Sequence, residues 1–252
     1  MSHSAEAVAG ARELLRDRTV TARRRSHQFY IGLTLFLIAT VVTGFWRSYF
    51  GTLLTGGVTR PLVMHVHGAV FTGWMGLLLL QVTLAATGRV RAHRRVGKVG
   101  IAYGVLVLVM GIIVTFAAPV MHVQAGRWTV DAAASFLILP IGDMFLFGGF
   151  FGAAIAYRHK PEIHKRLIVA ATVALAFAAV GRLNLPLLLF FALWLTPMAA
   201  AMAFDRLTRG QIHRVDVITT GVMAVAFLRI FIMETERWRV VGRALLLPFL
   251  QA

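Results

Sequence analysis

The sequence predicts an all-α polytopic membrane protein: a bundle of seven transmembrane helices, N-terminus inside and C-terminus outside, closed by a C-terminal interfacial helix. Three observations predict it. Of 252 residues, 58% are hydrophobic and 14% charged, at a mean hydropathy of +0.76, a composition that excludes a soluble domain of this length. Seven apolar segments reach the roughly 20 residues that a helix needs to cross the hydrocarbon. They are 28–46, 62–87, 98–118, 131–157, 164–183, 186–204 and 215–233, and the lack of ten-residue alternating strands excludes a barrel. The basic residues, finally, are lopsided. With the N-terminus inside, 18 of the 26 Lys and Arg fall in the tail and inner turns, where cytoplasmic segments retain them. The outer connections hold Arg47, Arg60, Arg127 and Arg182.

The same asymmetry accounts for a pI near 11.7. In a soluble protein that value would suggest nucleic acid; here the charge sets topology and meets lipid, so the expected partner is the bilayer and not nucleic acid. Residues 1–27 are a basic cytoplasmic tail, read as uncleaved because no small-residue cleavage site follows a short apolar stretch. Residues 28–233 form one transmembrane domain without repeat or linker. Residues 234–252 (ETERWRVVGRALLLPFLQA) place basic and aromatic residues before an apolar run too short to span, the pattern of a helix lying on the outer face. The absence of cysteine excludes disulfides, thiolate zinc, iron–sulfur clusters and the C-x-x-C-H haem attachment.

Segment two, 62–87, places Phe71, Trp74, Leu78 and Gln81 within about 40° of the direction of His67, a stripe that should face the bundle. His65 lies about 200° from His67, so joint ligation of a metal requires an irregular first turn. Either His67 is a ligand or it is a satisfied core histidine. Segment three, 98–118, continues a glycine face, Gly97, Gly100, Gly104 and Gly111, that suits close helix packing or a flat cofactor.

Segment four, 131–157, carries Asp143 near its middle. An ionised carboxylate there costs roughly 2.5–3.5 kcal/mol on insertion scales, so it should face a cavity or a partner. Pro140 removes an amide donor and clashes with the Phe136 carbonyl, which predicts a kink just before the acid. Segment five, 164–183, sets His164 and Arg182 five turns apart on one side; Lys165 and Arg166 read as topogenic anchors, and Arg182 as either a functional cation or a headgroup anchor. In segment seven, Arg229 is expected to snorkel outward, near Glu234 or Arg182, with pairing to Asp143 as its second option. His93 and His164 share one membrane level, as two ligands of one haem would.

The motifs Arg91-x-His93-Arg94-x-x-Gly97, His164-Lys165-Arg166-Leu167, Pro140-x-x-Asp143 and the D-x-x-T-R-G-x-x-H run from Asp205 to His213 resemble the DUF2306 group of bacterial membrane proteins over about residues 62–215. The resemblance implies that the matched residues form the site. A weaker likeness links the chain to cytochrome b561-type electron carriers, whose helices present paired histidines to two haems. Here His93 and His164 fall at loop junctions.

Two functional classes follow. One is a redox protein binding b-type haem or quinone, with His67 and His122 as outer ligands, His93 and His164 as inner ones, Trp74 beside the cofactor, and Asp143, Gln81 and Arg182 as the polar working groups. The other is an intramembrane enzyme holding zinc or copper through His65, His67 and His122 with Asp143. A non-catalytic subunit or transporter, docking a membrane partner or its own copy, is the plain alternative. Arg-over-Lys usage and Ala, Val and Gly richness suggest a bacterial inner membrane.

Overall fold

The computed structural model describes residues 2–56 and 60–251, with side chains from residue 20, so Arg12, Arg16 and Arg18 of the basic tail lie outside the described side chains. Every regular element among the described residues is helical. Helix α1 (Ser2–Phe45) passes through a π-helical turn, Trp46–Phe50, into α2 (Gly51–Thr55). There follow α3 (Leu62–Ala86), α4 (Val90–Gln124), α5 (Val130–Phe136), α6 (Ile138–Ala156), α7 (Pro161–Gly181), α8 (Leu187–Arg209), α9 (Arg214–Phe227), α10 (Arg229–Ile232) and α11 (Glu236–Leu250). Seven helical stretches among the described residues are long and apolar enough to cross a membrane. Large apolar side chains such as Leu54, Phe145, Leu188 and Val225 stand exposed on the exterior, a surface that hydrocarbon solvates and water does not.

The span boundaries agree with the hydropathy, with two breaks. The fourth span parts at Leu137, between α5 and α6, because Pro140 has no amide for the Phe136 carbonyl and crowds it. The seventh parts at Leu228, directly before Arg229, where the sequence shows no proline or glycine to announce it. Turn chemistry fixes other ends. The Thr129 hydroxyl accepts from the Ala132 amide at 3.1 Å and opens α5, and Gly210, at φ +73°, closes α8 in the left-handed conformation that a Cβ disfavours.

Helix α7 is the centre: 67% of its span is buried against 39% or less for the other six, and it touches α1, α6, α8 and α9. Its alanines Ala170, Ala171, Ala174 and Ala179 are fully buried, and such small side chains let neighbouring backbones approach where the hydrophobic effect cannot drive association. Buried indoles find acceptors: Trp194 Nε1 donates to the Val173 carbonyl at 2.8 Å, and Trp74 Nε1 to Thr172 Oγ1 at 3.2 Å. One end of the bundle gathers the turns at Arg89, at Arg158–Lys160 and at Gly210–His213, and is called the basic end below.

Helix α11 packs along α5 and the end of α4. Leu246 and Gly242 are buried, Arg243 Nε meets Asp131 Oδ1 at 2.5 Å, and Trp238 Nε1 donates to the Ala134 carbonyl at 2.9 Å, occupying an acceptor beside the α5–α6 break. At Gly242 an added Cβ would lie 2.9 Å from the Ala134 carbonyl carbon, so Gly242→Val should push α11 off α5 at a cost of about 1–3 kcal/mol. Limited proteolysis will read this as faster cleavage in the 228–236 turn; an unchanged cleavage rate would contradict the close packing.

Candidate functional site

Asp143 on α6 and Arg229 on α10 form a buried ion pair, 5% and 6% exposed. Arg229 Nη2 donates to Asp143 Oδ1, its Nη1 donates to the Ala226 carbonyl at 3.1 Å, and its guanidinium lies 4.3 Å from the centre of the Phe177 ring. The expected outward snorkelling of Arg229 is therefore corrected. The break at Leu228 turns this residue inward, where a carboxylate and an aromatic face replace the water that a headgroup position would offer. Glu234, its supposed neighbour, pairs instead with Arg239 at 3.2 Å. Gly142 makes the approach possible, since a Cβ there would stand 2.9 Å from Arg229 Nε. That Nε is buried without a hydrogen-bond partner, and beside it opens an apolar cleft of about 440 Å³ lined by Ile138, Ile141, Val225, Ile232 and Trp238.

Gln81 does not join Asp143. Helix α4 serves as a ruler: Gly97 lies against Gln81, and Gly111 against Met144, the neighbour of Asp143. Fourteen residues at 1.5 Å each separate the two levels by about 21 Å. Gln81 instead clamps the start of α4. With its amide oriented to satisfy both ends, the nitrogen donates to His93 Nδ1 at 2.9 Å and to the His93 carbonyl at 3.2 Å, and the oxygen accepts from the Gly97 amide at 2.9 Å. His93 Nδ1 also stands 3.2 Å from the Gln81 main-chain carbonyl, so Gln81 engages this ring nitrogen with both its side chain and its backbone. His164 Nδ1 likewise faces a main-chain carbonyl, that of Ala154 at 2.8 Å. The two histidines are close enough for the charge of one to act on the other.

The outer histidines separate. Phe71 is level with Gly111; His67 lies four residues beyond Phe71 and His122 eleven beyond Gly111, so they differ by about 10 Å along the axis. His67 packs 4.2 Å from the Phe71 ring centre, and His122 stacks on Trp128 at 4.4 Å. His65 turns to Tyr49, whose hydroxyl is 3.4 Å from its Nδ1. Among the described residues no three His, Asp or Glu side chains gather as a metal would require, and the zinc or copper set His65, His67 and His122 is corrected on that ground. Trp74 is a core residue, edge-on to Phe147 and Phe151. The glycine face of α4 is filled: Phe151 covers Gly104, and Met144 covers Gly111. At these two positions it is a packing surface.

A second polar centre lies at the basic end, among residues of the His164–Leu167 and Asp205–His213 motifs, where charge alone suggested anchors. Arg166 is 1% exposed, and each of its three nitrogens donates to an acceptor. Nε donates to Asp216 Oδ2 at 2.8 Å, Nη2 to Asp205 Oδ1 and Oδ2 at 2.7 and 2.5 Å, and Nη1 to the Glu162 carbonyl and Oε2 at 2.9 and 2.7 Å. Arg209 closes the ring on Glu162 at 2.7 Å. The network ties α7, α8 and α9 together. Its signal in the sequence was two aspartates, Asp205 and Asp216, flanking one inner turn, which an inventory of basic residues does not weigh.

Comparison of the chain with protein-family models, with curated proteins and with solved structures finds no match. Function has to be read from the side chains themselves.

Proposed function

We propose that the protein is a multi-pass redox protein of the bacterial inner membrane, N-terminus inside, that binds a lipid-soluble quinone at Asp143 and Arg229. The observation carrying this reading is Arg229 Nε, a buried donor without an acceptor, at the edge of an apolar cleft. An unsatisfied buried donor costs about 1–3 kcal/mol, and a quinone carbonyl supplies the missing acceptor while its ring and tail meet Ile138, Ile141, Ile232 and Trp238. Asp143, one residue from the cleft wall at Gly142, can take up a proton as a carboxylate and release it as the acid, so it would supply a proton to a quinone oxygen that an electron donor outside this chain reduces. The distribution of basic residues supports the orientation. The zinc or copper reading draws no such support, because no three of its candidate ligands gather among the described residues.

The test is a titration of the protein in phosphatidylcholine nanodiscs with a short-chain quinone, followed by quenching of tryptophan fluorescence. Arg229→Gln is expected to weaken binding at least about tenfold, the loss of one charge-assisted hydrogen bond. Ile141→Trp, which fills the cleft and leaves the ion pair intact, should abolish it, and Trp238→Phe should reduce the quenching amplitude. Wild-type affinity in Arg229→Gln and Ile141→Trp together would sink the proposal.

A further inference from the structure

At the end of the bundle opposite the basic turns, Ser48, His67 and Arg182 are brought to one level, and the first two hold buried polar atoms without a hydrogen-bond partner. The first comes from the π-helical turn. Its Gly51 amide reaches back to the Trp46 carbonyl, the five-residue spacing of a π-helix, a rare element that collects at functional sites. This wide turn carries Ser48, whose Oγ is buried without a partner. The second is His67, whose Nδ1 is likewise buried without a partner. The third is Arg182, which makes one hydrogen bond among the described residues, from Nη1 to its own Ala178 carbonyl at 2.7 Å.

Contacts between the three elements set these groups at one level of the bundle. The Arg182 guanidinium lies 4.2 Å over the Phe45 ring, and Phe45 stands one turn before Ser48. Gly44 sits directly on the Ala179 backbone, so that α1 and α7 touch there. Tyr49, next to Ser48, packs on Gly68, next to His67. Arg182 is also the charge that acts on His67.

The group is donor-rich and lacks an anion. Arg182 offers its remaining N–H groups and no acceptor, a neutral His67 offers one ring N–H, and Ser48 offers its hydroxyl. The carboxylates of the turns at this end are already engaged, Asp131 by Arg243 and Glu234 and Glu236 by Arg239. A positive charge with two neutral donors, beside an aromatic ring, fits a compact group with several acceptor oxygens. A metal cation is disfavoured by the guanidinium.

We propose that Ser48, His67 and Arg182 form a second binding site, distinct from the Asp143–Arg229 cleft, that takes an oxyanion: a phosphate or carboxylate group presented at this face of the bundle. Phospholipid headgroup and free phosphate offer the same chemistry. Arg182 supplies charge and a fork of donors, His67 and Ser48 fix the oxygens, and Phe45 holds the guanidinium in place.

Two arms test it on the full chain. In phosphatidylcholine nanodiscs, calorimetric titration with inorganic phosphate reads the soluble source. Native mass spectrometry of protein purified with phosphatidylglycerol reads the lipid source as retained headgroups. Binding in either arm that falls about tenfold or more in Arg182→Gln, falls less in Ser48→Ala, is partly kept in Arg182→Lys and is unchanged in Arg237→Gln supports the site and identifies the source. Absence of binding in both arms would overturn it. So would equal binding by wild type, Arg182→Gln and Ser48→Ala, or an equal loss in Arg237→Gln, an exposed arginine on α11. Circular dichroism melting of each variant separates lost binding from lost fold.

Discussion

Arg166→Met is expected to lower the stability of the bundle by about 3–5 kcal/mol, the range for removing one partner of a buried ion pair. The size comes from what stays behind. Asp216 loses the cation at 2.8 Å, and Asp205 keeps only Arg209 at 3.4 Å and the His213 amide at 3.3 Å; both acids are 1% exposed. Two carboxylates then share one small, dry volume at the junction of α7, α8 and α9. Thermal unfolding in detergent measures the loss. Combining Arg166→Met with Asp205→Asn and Asp216→Asn should recover more than half of it, because replacing a whole buried ionic group with neutral residues is far milder than orphaning its charges. Glu162→Gln should cost less than about 1 kcal/mol, since that carboxylate is half-exposed and screened. A melting temperature of Arg166→Met within experimental error of the wild type would show that the network anchors nothing.

The second large effect is an asymmetry between the two halves of the Asp143–Arg229 pair. Asp143→Asn leaves a guanidinium that cannot give up its proton in a buried position, whereas Arg229→Gln leaves a carboxylate that can take one up and become neutral. Asp143→Asn is therefore expected to destabilise by about 3–5 kcal/mol and Arg229→Gln by about 1–3 kcal/mol, with the double variant more stable than Asp143→Asn alone. The same order is expected in activity, as the placement of the acid in the sequence already implied. Parallel melts in matched detergent decide it, and a greater loss in Arg229→Gln would remove the argument that charge, and not packing against Phe177, governs this pair.

How these two centres relate to the sequence differs. Asp143 was conspicuous because an acid at mid-span is costly wherever it faces, and Pro140 announced the break three residues ahead of it. Arg229 was visible as a candidate partner, but its inward turn depends on the break at Leu228 and on Gly142, 87 residues earlier in the chain, leaving room for the guanidinium. Arg166 was hidden by its surroundings. Beside Lys165 at the start of a span it looks like any topogenic cation, and its acids come from 39 and 50 residues along the chain. The stripe on α3 erred in the opposite direction: helical angles bring His67, Trp74 and Gln81 to one side, yet a stripe runs the full thickness of the bundle, and its two ends meet different neighbours.

What the sequence determined alone is the set of seven spans, the proline break and the end of the bundle that carries the basic turns. Each follows from a property local to the chain: bilayer thickness sets the number of apolar residues in a span, proline lacks a donor, and charge accumulates in short loops. What only the tertiary structure decided is which polar groups are partners. A helix fixes the direction of a side chain about its own axis, but depth and neighbour depend on how α4, α6, α7 and α9 are staggered. That stagger came from small residues, Gly104, Gly111, Gly142 and the α7 alanines, admitting specific side chains of other helices, and it put Arg229 on Asp143, Gln81 on His93 and two aspartates on Arg166.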